Sequence, residues 1–316
     1  MNEATRIIAN PNAAGGRAAR VLPILERALE SAGIPYTLQR SERPGHARDL
    51  AQHAATQGAS QIVVVGGDGT VHEVVNGLLA TDGYSQELAL CPVGTGNDFH
   101  RMVRAPREPQ GIPSLLRSGT PRAFEVGRVG WEGGSAYFVN LLGVGVDVEV
   151  LRRRSRFQRL PGILQYGAAL LSAASGFQHL PLRIELESEH GSRKLDARAL
   201  AALVTVGPSV AGGLILSPEA RPDDGALDFL LIEDLALLGV MRHLPKVFRG
   251  THGSVPQITM SQIRRVRIES GSNTPLHFEL DGELMSETSP WLEVEVLPDR
   301  IQVLESPGTG PGEASR

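Results

Sequence analysis

The chain has only two lysines, Lys194 and Lys246, and neither follows a glycine. That excludes a Walker-type phosphate loop, whose lysine stands directly after glycine. A single cysteine, Cys91, excludes an internal disulfide framework and fits a reducing compartment. Aromatic residues make up 4% of the 316 positions, while 41% are apolar, which is ample for real cores. There is no surplus of positive charge: the formal net charge is -4, so nothing points to nucleic acid as a partner. No run of about 18 apolar residues occurs, so no membrane span is expected. Met1 to Arg6 leads straight into Ile7-Ile8 without a secretory apolar segment. These absences predict a cytoplasmic protein, and the length predicts about two domains.

What is present centres on residues 62–79. Ile62-Val63-Val64-Val65 reads as a buried parallel strand. It breaks on Gly66-Gly67-Asp68-Gly69, where missing side chains let a ligand approach bare backbone. Thr70 and Glu73 have the spacing of a capping box that opens a helix. Val71, Val74, Val75, Leu78 and Leu79 then form one apolar face. A glycine loop between a strand end and a helix start is a phosphate cradle, with a simple strand-to-helix turn as the plainer alternative. It is not a dinucleotide fingerprint, because His72 occupies the position of the third glycine. Nor is it a zinc-protease helix, because Asn76 stands where a second histidine would follow His72-Glu73.

The rest of the first 100 residues alternates strand and helix. Strands are predicted at 6–9, 36–38 and 88–91, with helices at 17–31 and 45–56, so the fold class is a doubly wound α/β nucleotide domain over 1–120. The loops after its strands begin at Asn10, Ser41, Gly66 and Pro92, and a ligand is expected beyond those carboxyl ends. A short helix at 112–118 follows. Then come β-like segments at 123–129, 136–142, 182–187, 199–206, 226–232, 264–269, 276–280, 292–297 and 301–304. They predict an antiparallel β-sandwich over 121–305, with helical interruptions at 146–177, broken near Pro161-Gly162, and at 235–249. Residues 306–316 read as a disordered tail.

Gly66-Gly67-Asp68-Gly69-Thr70-Val71-His72-Glu73-Val74-Val75-Asn76 and Gly94-Thr95-Gly96-Asn97-Asp98-Phe99 together resemble the diacylglycerol kinase catalytic domain. That superfamily also contains sphingosine kinases and, more distantly, NAD kinases. Asn10-Pro11, the block from Asn140 to Asp147, the block from Ala211 to Gly225 and Leu280-Asp281-Gly282-Glu283 continue the likeness in the family's order. The resemblance implies an ATP-dependent lipid kinase of the compact bacterial type, with its active site in a cleft between the two domains. It implies that ATP is held by Asn10, Pro11, Asn12, Ala13 and Ala14, by Ser41, by Gly66, Gly67, Asp68, Gly69, Thr70, Val71 and His72, and by Thr95 with Asn97 and Asp98. It implies a structural Mg²⁺ at Asp224 with the carbonyls of Arg221 and Ala226, and Glu283 as proton acceptor beside Asp281. Ser41 stands where threonine is usual, and Ala211 where a glycine is common.

The chemistry agrees with these roles. Phosphoryl transfer depends on positioning and charge stabilisation, and Asp68 and Asp98 suit a catalytic Mg²⁺ or its waters. In Glu279-Leu280-Asp281-Gly282-Glu283, acidic residues at i and i+2 of a strand would share a face and repel unless a cation or a proton separates them. By itself Asp281-Gly282 reads as a hairpin turn, and Asp223-Asp224-Gly225 as a turn before a strand. Arg152, Arg153, Arg154, Arg156 and Arg159 precede an apolar helix, which is either a docking surface for an anionic bilayer or an ordinary solvated face. The acceptor is therefore expected to be diacylglycerol or a similar lipid, met peripherally at the inner face of a membrane. The competing readings are a kinase for a soluble alcohol, as in NAD kinases, and a catalytically silent nucleotide-binding regulator. A homodimer is left open.

Overall fold

The structure is a computed structural model that describes residues 5–157, 160 and 162–307. The chain divides into two compact units, Met1–Phe124 with Ile301–Arg316, and Glu125–Arg300. The expected second domain reached residue 305. Residues 301–305 instead return to the first unit, where Gln302 and Val303 pair in parallel with Glu87 and Leu88. The expected tail lies, from residue 308 onward, outside the described residues.

The first unit alternates β1 (Thr5–Ala9), α1 (Ala13–Ser31), β2 (Tyr36–Arg40), α2 (His46–Thr56), β3 (Gln61–Gly66), α3 (Asp68–Leu79), β4 (Glu87–Pro92), α4 (Asp98–Arg101) and α5 (Ile112–Ser118). Its strands are parallel, in the order β2-β1-β3-β4. Ile62 to Val65 of β3 are all buried, as a parallel strand covered by helices on both faces requires. Ile7, Val63, Val65 and Ala89 pack on one side with Leu22, Leu25 and Leu29 of α1 and Leu115 of α5. Val71, Val74, Val75, Leu78 and Leu79 of α3 are all buried, as their spacing predicts. From β1 the chain proceeds outward to β2, and from β3 it proceeds the other way to β4. The loops after β1 and β3 therefore part around a crevice, the place where such sheets bind ligands. The returning segment is anchored by Glu305, which is buried and accepts hydrogen bonds from Arg104 (Nη2, 2.7 Å) and Arg122 (Nη1, 3.1 Å). Burial would raise its carboxyl, but the two arginines outweigh burial and hold it below the usual carboxylate range.

The second unit is antiparallel. β5 (Thr120–Trp131) enters it from the first unit and pairs with β6 (Gly134–Phe138). Next come β7 (Leu141–Gly145), α6 (Val146–Arg154), α7 (Gly162–Ala174), β8 (Leu180–Ser188) and β9 (Gly191–Thr205). The short pair β10 (Ser209–Val210) and β11 (Leu214–Ile215) precedes β12 (Leu227–Glu233) and α8 (Leu237–Phe248). The unit closes with β13 (Ile258–Ile263), β14 (Arg265–Ser270), β15 (Leu276–Leu280), β16 (Glu283–Ser289) and β17 (Trp291–Glu305). The strand order is β16-β15-β7-β9-β8-β14-β17, with β12 joined to β9 and β13.

β9 shows why this β-sandwich is continuous. Ala199, Ala202 and Val204 enter one core with Phe229, Phe278 and Leu292, while Leu200, Ala201 and Leu203 enter a second core with residues of α6, α7 and α8. A strand buried on both faces loses the alternation that sequence reading relies on. The expected 199–206 is nevertheless this doubly buried, apolar part; the missed 191–198 is mostly exposed and polar, so it carries too few apolar residues to signal a strand. Further expectations differ: 292–297 and 301–304 are one strand, 136–142 straddles β6 and β7, and β13 and β16 were not anticipated. The break in the 146–177 helical region falls between α6 and α7, with Pro161 itself outside the described residues.

Candidate functional site

Four loops leave the carboxyl ends of the parallel strands, and three backbone bonds tie them into one surface. Asn10 N–H donates to the Val65 carbonyl (3.0 Å), Ser41 N–H to Ala9 (2.8 Å) and Val93 N–H to Gly66 (2.9 Å). After β1, the Asn10 carboxamide accepts the Asn12 N–H at 3.1 Å. Ala14, Gly15 and Gly16 then hold φ values of 51, 65 and 84° before α1 becomes regular. Ser41 is buried, Asn10 and Pro11 are half-buried, and Asn12 and Ala14 are exposed.

Gly66 and Gly94 have no space for side chains. A Cβ on Gly66 would lie 2.3 Å from Thr70 Oγ1, and one on Gly94 would lie 2.7 Å from Gly67 Cα. The first and second glycine loops thus touch backbone to backbone. Helix α3 begins at Asp68 with Gly67 as its N-cap, and the N–H groups of Thr70 and Val71 both donate to the Gly67 carbonyl. In the first turn the amides of Asp68 and Gly69 have no carbonyl within the helix to meet, and the helix dipole favours an anion before them. Asp68 Oδ1 accepts the Phe99 N–H at 3.2 Å and so bridges the two loops. Asp98 is buried, with its carboxylate 3.6 Å from Arg101 Nε. Asn97 takes φ 52° and donates from Nδ2 to the Gly94 carbonyl at 2.8 Å, and its buried Oδ1 accepts no hydrogen bond. Thr95 is exposed and His72 half-buried beside Asn76.

In the second unit, Asp281 and Gly282 (φ 51 and 86°) form the two-residue turn between β15 and β16, and Leu280 pairs with Glu283 across it. Positive φ at both positions makes this a type I′ turn, for which Asp-Gly is well suited. The Asp281 carboxylate accepts the N–H groups of Val139 (3.0 Å), Asn140 (2.7 Å) and Leu141 (3.0 Å). Glu283 begins β16 and is exposed. A separate turn, before β12, holds Arg221, Asp224 and Ala226. Asp224 accepts the Ala226 N–H (3.1 Å) and Gln262 Nε2 (3.2 Å), beside a cavity of about 480 Å³ lined in part by Glu219 and Arg221. Glu125 of β5, 1% exposed, accepts the Gly225 N–H at 2.8 Å, while its Oε1 has no donor. Burial first, then Asp224, Asp223 and Asp228, push the Glu125 carboxyl up to about 8. Burial, Asp224 and Glu219 push Asp228 up to about 7.

Comparison with known proteins gives this arrangement its relatives. Residues 4–129 match the family model for the diacylglycerol kinase catalytic domain, and residues 140–305 match the YegS C-terminal NAD kinase beta sandwich-like domain. The chain belongs to the diacylglycerol kinase family. Relatives named diacylglycerol kinase, from Staphylococcus haemolyticus and Staphylococcus aureus (strain MRSA252), are each 29% identical over 90% of this chain and over 83% and 87% of their own lengths. A crystal structure titled as a diacylglycerol kinase from Bacillus anthracis str. Sterne is 20% identical and shares the fold with a TM-score of 0.71, over 96% of this chain and 97% of its own. Family membership supports a lipid kinase role.

Within this family framework two sequence expectations change. The Thr70–Glu73 capping box does not form. The Glu73 carboxylate instead accepts the N–H groups of Gly45 and Ala47, both at 2.9 Å, and so caps α2. Glu279, Asp281 and Glu283 do not line one strand face, because the chain reverses at Asp281-Gly282. Glu279 is fully buried and lies instead near Asp147, whose carboxylate reaches over the same glycine, Gly143. Sequence reading missed Glu125 and the Asp147–Glu279 pair. Glu125 had one legible signal, a carboxylate flanked by Phe124 and Val126 inside a strand, where an unpaired charge is costly.

Asp281 tests how far these carboxylates are structural. Asp281→Asn keeps size and tolerance of positive φ but replaces one acceptor oxygen with a donor facing backbone N–H groups. Equilibrium urea unfolding should show a loss of about 2 kcal/mol. Unchanged stability would mean that the three amide bonds do not hold the Val139–Leu141 segment.

Proposed function

We propose that the chain transfers the γ-phosphoryl group of ATP to a hydroxyl of diacylglycerol or a similar lipid, with Mg²⁺. The observation that carries this reading is the glycine loop at the end of β3. Bare backbone, the amides of a helix's first turn and two carboxylates, Asp68 and Asp98, meet where a doubly wound sheet binds its ligand. In the proposed mechanism the 66–72 loop and the Asn10–Ala14 loop hold the ATP phosphates, with Ser41, Thr95 and Asn97 at the margins. Glu283 accepts the proton of the acceptor hydroxyl as oxygen attacks phosphorus. Asp281 positions Glu283 by fixing the turn. Mg²⁺, when bound, offsets charge on the phosphoryl oxygens, and Asp68 and Asp98 are the side chains suited to hold it.

Glu283→Gln removes basicity while keeping size. Turnover should fall roughly 10²- to 10⁴-fold with ATP affinity nearly unchanged, followed by radiolabelled lipid product and calorimetry. Turnover within a few-fold of wild type removes Glu283 as base. Phosphorylation of soluble alcohols but no lipid favours the NAD kinase-like reading, and no turnover with intact ATP binding favours a silent regulator.

A second, structural Mg²⁺ is proposed at Asp224, with carbonyls of Arg221 and Ala226. The fit rests on the acceptor set: Glu125 Oε1 is buried without a donor, and four carboxylates crowd the turn, a concentration of negative charge that a cation relieves. The wild type should melt several degrees higher in Mg²⁺ than in chelator, and Asp224→Ala should remove most of that difference. A melting temperature that ignores both additives refutes the site.

The membrane contact is reassigned. Arg152 is bonded to Glu149 and His277, Arg153 to Glu149 and the Ser172 carbonyl, and Arg154 to Tyr166, while Arg156 is exposed and Arg159 lies outside the described residues. The helix pair α7–α8 is the better surface. Leu164, Leu238 and Met241 are 58%, 78% and 52% exposed, Arg242 and Arg249 are exposed, and neither helix contains an acidic residue. An amphipathic helix of this kind suits an anionic bilayer. Leu238→Ser with Met241→Ser should weaken sedimentation with anionic vesicles by about tenfold or more, since each exposed side chain is worth about 1.5–3 kcal/mol on burial. Unchanged sedimentation would return the role to the arginines.

A further inference from the structure

Gly143 of β7 lies opposite Glu279 of β15 in the antiparallel register. Having no side chain, it leaves a space that two carboxyl groups enter. A Cβ at Gly143 would lie 2.2 Å from Asp147 Oδ2 and 2.8 Å from Glu279 Oε1. Glu279 is 0% exposed, and neither of those two oxygens meets an N–H or O–H donor. The other Glu279 oxygen, Oε2, accepts the Gly282 N–H at 2.7 Å, on the turn before Glu283. Two ionised carboxylates cannot be held this close, out of water and without a donor.

We propose that Asp147 and Glu279 share one proton, carried on Glu279 Oε1 and donated to Asp147 Oδ2, and that this bond makes Glu279 a positioning residue for the turn that presents Glu283. The proton belongs on Glu279 because Asp147 lies in the first turn of α6, where the helix dipole favours its ionised form. Burial, then Asp147, raises the Glu279 carboxyl well above the ordinary range, and burial raises Asp147 as well. The other titratable groups on the surrounding elements are Glu149 and Arg152 to Arg154 on α6, His277 on β15, Asp281 in the turn, and Glu283 and Glu287 on β16. Of these, Asp281 adds to the upward push on Glu279. The facing part of β9, 201–205, has none. The positioning role rests on Glu283 being the base, whereas the shared proton does not.

The test uses the full chain and Glu279→Gln, whose amide can donate to Asp147 and still accept the Gly282 N–H. At neutral pH the infrared carbonyl band of an un-ionised acid should weaken in Glu279→Gln and in Asp147→Asn relative to wild type. Wild-type stability should fall as pH rises from the ordinary carboxylate range toward the pair's raised value, because the folded state alone keeps the proton. Glu279→Gln should flatten that fall. Glu279→Ala, which leaves the buried Oδ2 of Asp147 unpaired, should lower kcat roughly 10- to 100-fold with little change in KM for ATP, and Glu279→Gln should recover most of the loss. An unchanged acid band in both amide variants overturns the shared proton. So does a wild-type stabilisation by Na⁺, Ca²⁺ or Mg²⁺ that Glu279→Gln abolishes, since a cation would then occupy the pair. If the band changes as expected but Glu283→Gln keeps full turnover, the proton stands and the positioning role falls with the base assignment.

Discussion

Every backbone N–H taken out of water needs an acceptor, and at several loops and turns of this chain, beyond the helix and strand ladders, a carboxylate supplies it. Glu73 takes the amides of Gly45 and Ala47, Asp68 that of Phe99, Asp281 those of Val139 to Leu141, Glu125 that of Gly225, Glu279 that of Gly282, and Glu305 that of Arg104. Each bond fixes a loop or turn that neither helix nor strand geometry would hold. Except for Glu279, the acid in each case comes from 26 or more residues away in the chain. A carboxylate accepting backbone donors gains charge-assisted bonds that are stronger than neutral ones.

The same constraint separates structural acids from chemical ones. Asp281 is occupied by three amides, so its contribution is geometric. Glu283, two residues later, stands exposed at the start of β16, and it is the acid to which the proposed mechanism gives the proton. In the first unit, Asp68 spends one oxygen on Phe99, and the first-turn amides of α3 remain directed to an anion by helix geometry. The glycines at 66, 67 and 94 matter for what they omit: side chains at 67 and 94 would push the two loops apart, and one at 66 would strike Thr70.

Burial makes several of these groups unlike free carboxylates. Glu125 and Asp228 crowd one turn, and Glu279 faces Asp147 across Gly143. Clustered acids in a protein interior require a proton or a cation, and the two clusters differ in what surrounds them. The turn at Asp224 adjoins a cavity open to solvent ions, whereas Glu279 is sealed from water and its neighbour lies at a helix start.

The sequence alone was sufficient for what depends on local pattern. The β-branched run at 62–65, the glycines after it and the apolar spacing of α3 are set by short-range sterics and burial, so they were legible without coordinates, as was the helix at 112–118. The family likeness came from motif order, which also needs no distances. Partnership between distant residues was decided only by tertiary structure. Glu73 has the spacing of a local cap, yet it caps α2, because that helix start lies within reach of α3 in the folded sheet. Asp281-Gly282 fits either a strand face or a turn, and pairing between β15 and β16 selected the turn. Nothing near Asp147 in the chain predicts Glu279, 132 residues on; antiparallel pairing of β7 with β15 brings them together over a glycine, and only burial there makes a shared proton necessary.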